Sequence, residues 1–234
     1  MSFRTGWTRE MLAARIDHTL LRPEAMPRDI DQLCEEAVRY GCAAVCVNSI
    51  YVARAASWLA GTPVKVATVV AFPLGASPTA IKVAEAAIAL SQGAQEIDMV
   101  LPVGLLKAGE IDVVRADLGA VVAVCHAAGA LCKVILETAL LTAEEKALAA
   151  RLAVEAGADF VKTSTGFGPG GATVEDVAFL RQIVGTSAGV KAAGGIRTVE
   201  QAIAMLEAGA DRLGTSATVA ILEALPPVSP TIME

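Results

Sequence analysis

Aromatic side chains are scarce in this 234-residue chain, 4% of the total against 54% hydrophobic residues overall. The interior must therefore be built from Ala, Val, Leu and Ile, which suits packed strands under closely approaching helices. Histidine is scarcer still. His18 and His126 are the only two, which excludes a histidine-rich metal site. The five cysteines (Cys34, Cys42, Cys46, Cys125 and Cys132) are odd in number and contain no C-x-x-C pair. They read as free, buried thiols of a reducing compartment, not as a disulfide framework. Basic charge is in deficit: 19 Lys and Arg against 25 Asp and Glu leave a net charge of −6. That balance argues against nucleic acid or a membrane surface as a partner, while leaving room for a local site that takes an anionic metabolite. No apolar run is long enough to cross a bilayer; the most apolar stretch, Leu118 to Leu131, contains His126 and stops at Lys133. Residues 1–10 hold no apolar signal core, so a cytoplasmic protein is expected.

What the chain does contain is alternation between two kinds of segment. Short runs rich in Val and Ile predict strands near 15–19, 43–47, 64–70, 96–100, 132–137, 159–163, 189–193 and 211–215. Ala-rich helical patterns lie between them, near 27–40, 49–60, 77–91, 110–128, 142–156, 173–184, 198–208 and 217–224. Thr142, Thr173 and Thr198 have the chemistry of helix N-caps, with acids or Gln in the first turn. Gly41, Gly93, Gly157 and Gly209 suit left-handed helix ends. The phrase Glu155-Ala156-Gly157-Ala158-Asp159 recurs as Glu207-Ala208-Gly209-Ala210-Asp211, an echo of one βα unit. Eight such units predict an α/β protein with a closed (β/α)8 TIM barrel over residues 1–225, followed by an extended tail at 226–234. A doubly wound open sheet is the alternative, disfavoured by the count and by the lack of an early G-x-G-x-x-G.

Active sites of such barrels lie at the C-terminal ends of the strands. The polar residues there are Asp17, Asp98, Lys133, Glu137, Lys162 and Lys191. Lys162 and Lys191 end apolar runs on neighbouring strands, and each leads into a Gly-rich loop. A buried lysine is costly unless paired or chemically employed, and two close together are expected to lower each other's pKa. A neutral amine at pH 7 is what Schiff-base chemistry requires. The plainer reading is that each lysine only pairs with an acid. Alternation along Glu96-Ile97-Asp98-Met99-Val100 makes Asp98 the better catalytic acid, with one of the two acids expected to face outward to a helix. Gly194-Gly195 after strand seven and Gly214-Thr215-Ser216 after strand eight stand where barrels often bind phosphate. Cys46 reads as a packed, substrate-facing thiol, and His18 as a hydrogen-bonded structural residue.

The runs Ile16-Asp17-His18-Thr19-Leu20, Glu96-Ile97-Asp98-Met99-Val100, Lys133-Val134-Ile135-Leu136-Glu137-Thr138, Phe160-Val161-Lys162-Thr163-Ser164-Thr165-Gly166 and Val190-Lys191-Ala192-Ala193-Gly194-Gly195-Ile196-Arg197 together resemble the deoxyribose-phosphate aldolase family. The likeness covers nearly the whole chain in order. It implies a class I aldolase, without cofactor or metal, that reversibly cleaves 2-deoxy-D-ribose 5-phosphate to acetaldehyde and D-glyceraldehyde 3-phosphate in carbohydrate degradation. By resemblance, Lys162 is the Schiff-base lysine. Lys191 lowers its pKa and relays protons, and Asp98 acts with a water as acid and base. Asp17 and Lys133 support them, and Thr165 meets a substrate hydroxyl. Gly166, Gly194, Gly195, Gly214 and Ser216 hold the phosphate. Phe167 and Ala217 stand where some members carry a lysine and a serine, which shifts phosphate binding toward backbone amides. The tail has no tyrosine of the kind that assists proton transfer in some members. The expected partner is a small phosphorylated sugar or aldehyde, and the Ala-rich, hydrophobic chain leaves a homodimer face open. Rival readings are a Schiff-base barrel aldolase with another phosphorylated donor and a non-catalytic sugar-phosphate binder.

Overall fold

The eight Val- and Ile-rich runs become eight parallel strands in the computed structural model, which describes residues 6–225. They are β1 (Ile16–Leu20), β2 (Ala44–Val47), β3 (Lys65–Val70), β4 (Glu96–Val100), β5 (Leu131–Ile135), β6 (Phe160–Lys162), β7 (Gly189–Ala193) and β8 (Arg212–Thr215). Each pairs with the next in sequence, and β8 closes on β1 through Ile16 opposite Leu213 and Asp17 opposite Gly214. The open-sheet alternative is thereby excluded. The extended tail expected at 226–234 lies outside the described residues.

Among the described residues ten α-helices wrap this cylinder: α1 (Arg9–Ala13), α2 (Pro27–Tyr40), α3 (Val52–Trp58), α4 (Thr79–Ser91), α5 (Val103–Lys107), α6 (Ile111–Ala127), α7 (Ala143–Glu155), α8 (Val174–Val184), α9 (Val199–Glu207) and α10 (Thr218–Glu223). The eight main helices match the expected pattern. The five-residue helices α1 and α5 do not, because five residues are too few to show a helical period. The helix expected from residue 49 opens with a 3-10 turn at Ser49–Tyr51. Cap chemistry fell as the sequence indicated. The Thr142, Thr173 and Thr198 hydroxyls accept from the backbone N–H groups of Glu145, Asp176 and Gln201. Gly41, Gly93, Gly157 and Gly209 all adopt positive φ at helix ends. None of the described helices is long and apolar enough to cross a membrane.

Because side chains alternate along a strand, the barrel has two kinds of packing. Outward residues such as Val45, Ile97, Val134, Val161 and Val190 join one continuous apolar core with the helices. Inward residues divide into unlike halves. Ala44, Cys46, Ala67 and Val69 of β2 and β3 form a small apolar wall, continued by Phe72 above. The other strands contribute charge to the interior. Two glycines make space there. A Cβ on Gly189 would lie 2.3 Å from the Phe160 ring, and one on Gly214 would lie 3.1 Å from Lys191 Cε. The scarcity of bulky inward residues leaves volume for long lysine stems.

Candidate active site

Strand register brings the charged residues together. Lys162 lies opposite Lys191, and Asp98 lies opposite Lys133. Asp98, fully buried, sits at the centre. Its Oδ2 accepts from Lys162 Nζ at 2.8 Å and from Lys191 Nζ at 2.7 Å, and its Oδ1 accepts from Lys133 Nζ at 2.8 Å. Lys191 also donates to Asp17, whose other oxygen takes a bond of 2.5 Å from Arg212. Lys133 lies 2.6 Å from Glu96 as well. Glu96 and Asp98 therefore both face the barrel interior, as strict alternation along β4 requires. The expectation of one outward, helix-facing acid is corrected.

The lysines differ in company, and so in proton affinity. Burial presses each ammonium group toward neutrality. For Lys162, burial and the neighbouring Lys191 charge outweigh Asp98, and the pKa falls below the ordinary lysine value. For Lys191, burial is overcome by two carboxylates, Asp17 and Asp98, and the pKa rises. Lys133 likewise rises against burial through Asp98, Asp17 and Glu96. Mutual depression of the two lysines thus holds at Lys162 only; Lys191 keeps its proton. Burial pushes Asp98 up, but three ammonium groups hold it well below the carboxylate range. Asp17, pushed up by burial and drawn down by Lys191, Lys133 and Arg212, ends at about 2. The Cys46 thiol is raised to about 11 by burial and by Asp98, so it stays protonated, in keeping with a packed thiol. His18 lies 2.8 Å from a Glu36 oxygen, a structural hydrogen bond. All five cysteines are free and buried.

Above the ions lies a cavity of about 300 Å3 at the C-terminal ends of the strands. Of the expected site residues, Lys162, Thr165, Gly166, Gly194, Gly195, Gly214 and Ser216 line it. Asp17, Asp98, Lys133 and Lys191 lie beneath, each with no exposed surface. Lys162 is therefore the one barrel lysine that reaches the cavity. Gly194, at φ 90°, packs so closely on the loop after β6 that a Cβ on Gly171 would come 2.3 Å from the Gly194 carbonyl oxygen. The same contact is fixed by a 3.0 Å bond from the Ala172 N–H to that oxygen. Phe167 lines the cavity and meets Phe72 edge to face at 5.3 Å.

Three residues outside the expected set also shape the site. Arg22 and Arg197 line the cavity and bring positive charge to it. Arg197 stands in the glycine run that drew attention to the β7 loop, so its place was within reach of the sequence. Glu137 stood among the polar strand-end residues, but its role was hidden. It lies beyond the end of β5 in a left-handed conformation, φ 57°. Its buried Oε2 accepts from both the N–H and the hydroxyl of Thr165, and the Thr165 oxygen accepts from the Phe167 N–H. The Thr165 hydroxyl is thus engaged in holding its own loop.

Closed parallel barrel, a lysine amine lining an open cavity and a buried ion network around it are the marks of a barrel enzyme suited to carbonyl chemistry. The comparisons narrow the class. The model of the DeoC/LacD family aldolases matches residues 11–224, and the chain belongs to that family. The chain is 58% identical to a deoxyribose-phosphate aldolase of Thermococcus gammatolerans over 91% of this chain and 95% of the relative. It is 57% identical to one of Brevibacillus brevis over 88% and 93%. A tetrameric deoxyribose phosphate aldolase from Aeropyrum pernix superposes with a TM-score of 0.88 at 36% identity, covering 93% of this chain and 92% of that one.

Proposed function

We propose that this aldolase reversibly cleaves 2-deoxy-D-ribose 5-phosphate to acetaldehyde and D-glyceraldehyde 3-phosphate, through a Schiff base on Lys162. The observation that carries the assignment is that, of the three lysines buried in the barrel, Lys162 alone lines the cavity and alone has a lowered pKa. The substrate is supported by the relatives' activity and by a cavity framed with glycines and two arginines.

The neutral Lys162 amine adds to the C1 carbonyl of the open-chain sugar, giving a carbinolamine that loses water to an iminium. A base takes the C3 hydroxyl proton, the C2–C3 bond breaks, and its electron pair moves into the iminium to give an enamine. Glyceraldehyde 3-phosphate departs; the enamine carbon then takes a proton, and hydrolysis releases acetaldehyde and the amine. Asp98, bonded to all three lysines, and Lys191, held protonated by two acids, stand next to Lys162 where those protons must pass. Asp17 and Lys133 keep the pair oriented. Backbone groups of Gly166, Gly194, Gly195 and Gly214, with Ser216, hold the phosphate, and Arg22 and Arg197 supply charge that position 167 does not. Thr165, tied to Glu137, shapes the adjoining wall. No cofactor or metal enters this scheme.

The test is to incubate the protein with 2-deoxyribose 5-phosphate, reduce with borohydride and map the adduct by peptide mass. An adduct on Lys162, absent from Lys162→Leu, supports the scheme. An adduct on Lys191 reverses the lysine roles, and none at all in folded protein rejects the scheme.

A self-association face is proposed as well. Ile50, Ile81 and Ile88 line one groove between the α3 and α4 regions and are 81%, 57% and 58% exposed. So much exposed branched aliphatic surface in one place is suited to a second copy of the chain.

A further inference from the structure

Two charged residues deep in the barrel have no part in the scheme above. Arg212 opens β8 and Glu96 opens β4. Neither lines the cavity, so neither meets substrate. Yet both are joined to groups that act on Lys162. Arg212 Nη1 lies 2.5 Å from Asp17 Oδ1, and Asp17 in turn accepts from Lys191. Glu96 Oε2 lies 2.6 Å from Lys133 Nζ, and Lys133 donates to Asp98. The two are linked directly at 3.5 Å.

Counting the cluster shows why this matters. Its cations are Lys133, Lys162, Lys191 and Arg212; its anions are Asp17, Glu96 and Asp98. Four against three leaves one surplus positive charge in a buried interior, where an unmatched charge is costly. Lys133 and Lys191 each bond two carboxylates at close range, whereas Lys162 bonds Asp98 alone. The surplus proton therefore leaves from Lys162, and its loss brings the cluster to three against three. The remaining strands do not alter the count. β2 faces the interior with the protonated Cys46 thiol and β3 with Ala67 and Val69; Lys65, which opens β3, shares a surface groove with Glu96 but is exposed to solvent and forms no ion pair with the cluster, and His18 of β1 is occupied with Glu36 outside the barrel.

We propose that Arg212 and Glu96 are positioning residues that fix the charge count around Lys162, and so set the pH at which its amine becomes nucleophilic. The inference rests on the reading of Lys162 as the Schiff-base lysine. Arg212 acts through Asp17 and Lys191, Glu96 through Lys133 and Asp98. Removing the positive charge should make Lys162 hold its proton to higher pH. Removing the negative charge should release that proton at lower pH.

The experiment is to treat the intact protein with acetaldehyde and cyanoborohydride across a range of pH. Alkylation of Lys162 is read by peptide mass, normalised to the exposed Lys65, beside the pH profile of kcat/KM. In Arg212→Gln the midpoint of Lys162 reactivity moves up, and in Glu96→Gln it moves down, each by on the order of one pH unit. The double variant returns close to wild type, and Arg212→Lys, which keeps the charge, stays there. If Arg212→Gln does not fold, the near-isosteric Glu96→Gln decides by the direction of its shift. Midpoints that stay put while activity falls, or that move the same way in both variants, overturn the proposal and leave the Schiff-base reading intact. Absence of any Lys162 adduct in the wild type overturns both.

Discussion

Lys162 and Asp98 touch, yet removing them should have opposite effects on stability. Lys162→Met takes a destabilised amine out of a buried site and leaves Asp98 with Lys133 and Lys191. Its expected urea midpoint is no lower than wild type, with aldol cleavage abolished. Asp98→Asn instead leaves the buried ammonium groups of Lys133 and Lys191 each short of a carboxylate. Breaking a buried ion pair from one side costs about 3–5 kcal/mol, so the same titration should show a large loss. Asp17 adds an acid dependence. Its folded pKa, about 2, lies below its ordinary value of 3.8. A depressed carboxylate stabilises the fold fully above the unfolded value and ceases to do so as pH falls through the folded one. That window, from about 4 down to about 2, accounts for about 2 kcal/mol. Asp17→Asn is expected to lose that stretch of pH dependence in acid titrations followed by circular dichroism. What was legible at this scale was residue type and strand position; Lys162, Lys191 and Asp98 all stand out as polar groups ending apolar runs. Their division of labour was not legible. It depends on which carboxylates meet which amine across the barrel, and Asp17 reaches Lys191 over 174 residues of sequence.

At the level of elements, the strands and caps were readable because alternation, N-cap threonines and C-terminal glycines act locally. β5 is the instructive difference. Expected through residue 137, it stops at Ile135 because the chain turns at Glu137 in order to reach Thr165 on the next loop. A side chain bonding to a loop 28 residues away leaves no local signature. The loops after β6 and β7 also depend on each other. Gly171→Ala would drive a Cβ against the Gly194 carbonyl, and the two loops must part. Both border the cavity where the phosphate is proposed to lie. The expected result is a rise in KM for the phosphorylated sugar of tenfold or so, about 1.4 kcal/mol of binding. Borohydride trapping of acetaldehyde at Lys162 should remain. Steady-state kinetics beside trapping would distinguish this from general unfolding.

At the scale of the whole molecule, the exposed groove of Ile50, Ile81 and Ile88 predicts concentration-dependent association. Ile81→Glu together with Ile88→Glu should lower the mass seen by sedimentation and leave the far-ultraviolet spectrum unchanged. The eight-unit architecture was legible from the count of βα segments, whereas this face was not, since apolar helix residues look alike in sequence whether a neighbour covers them or not. Closure of the barrel has a further meaning. Asp17 comes from the first strand, while Lys191 and Arg212 come from the last two. A chain still emerging from the ribosome, or cut before residue 212, holds Lys162 without Arg212 and without the strand that closes the ring. On the proposed scheme, the surroundings that tune Lys162 are complete only when the final strand arrives.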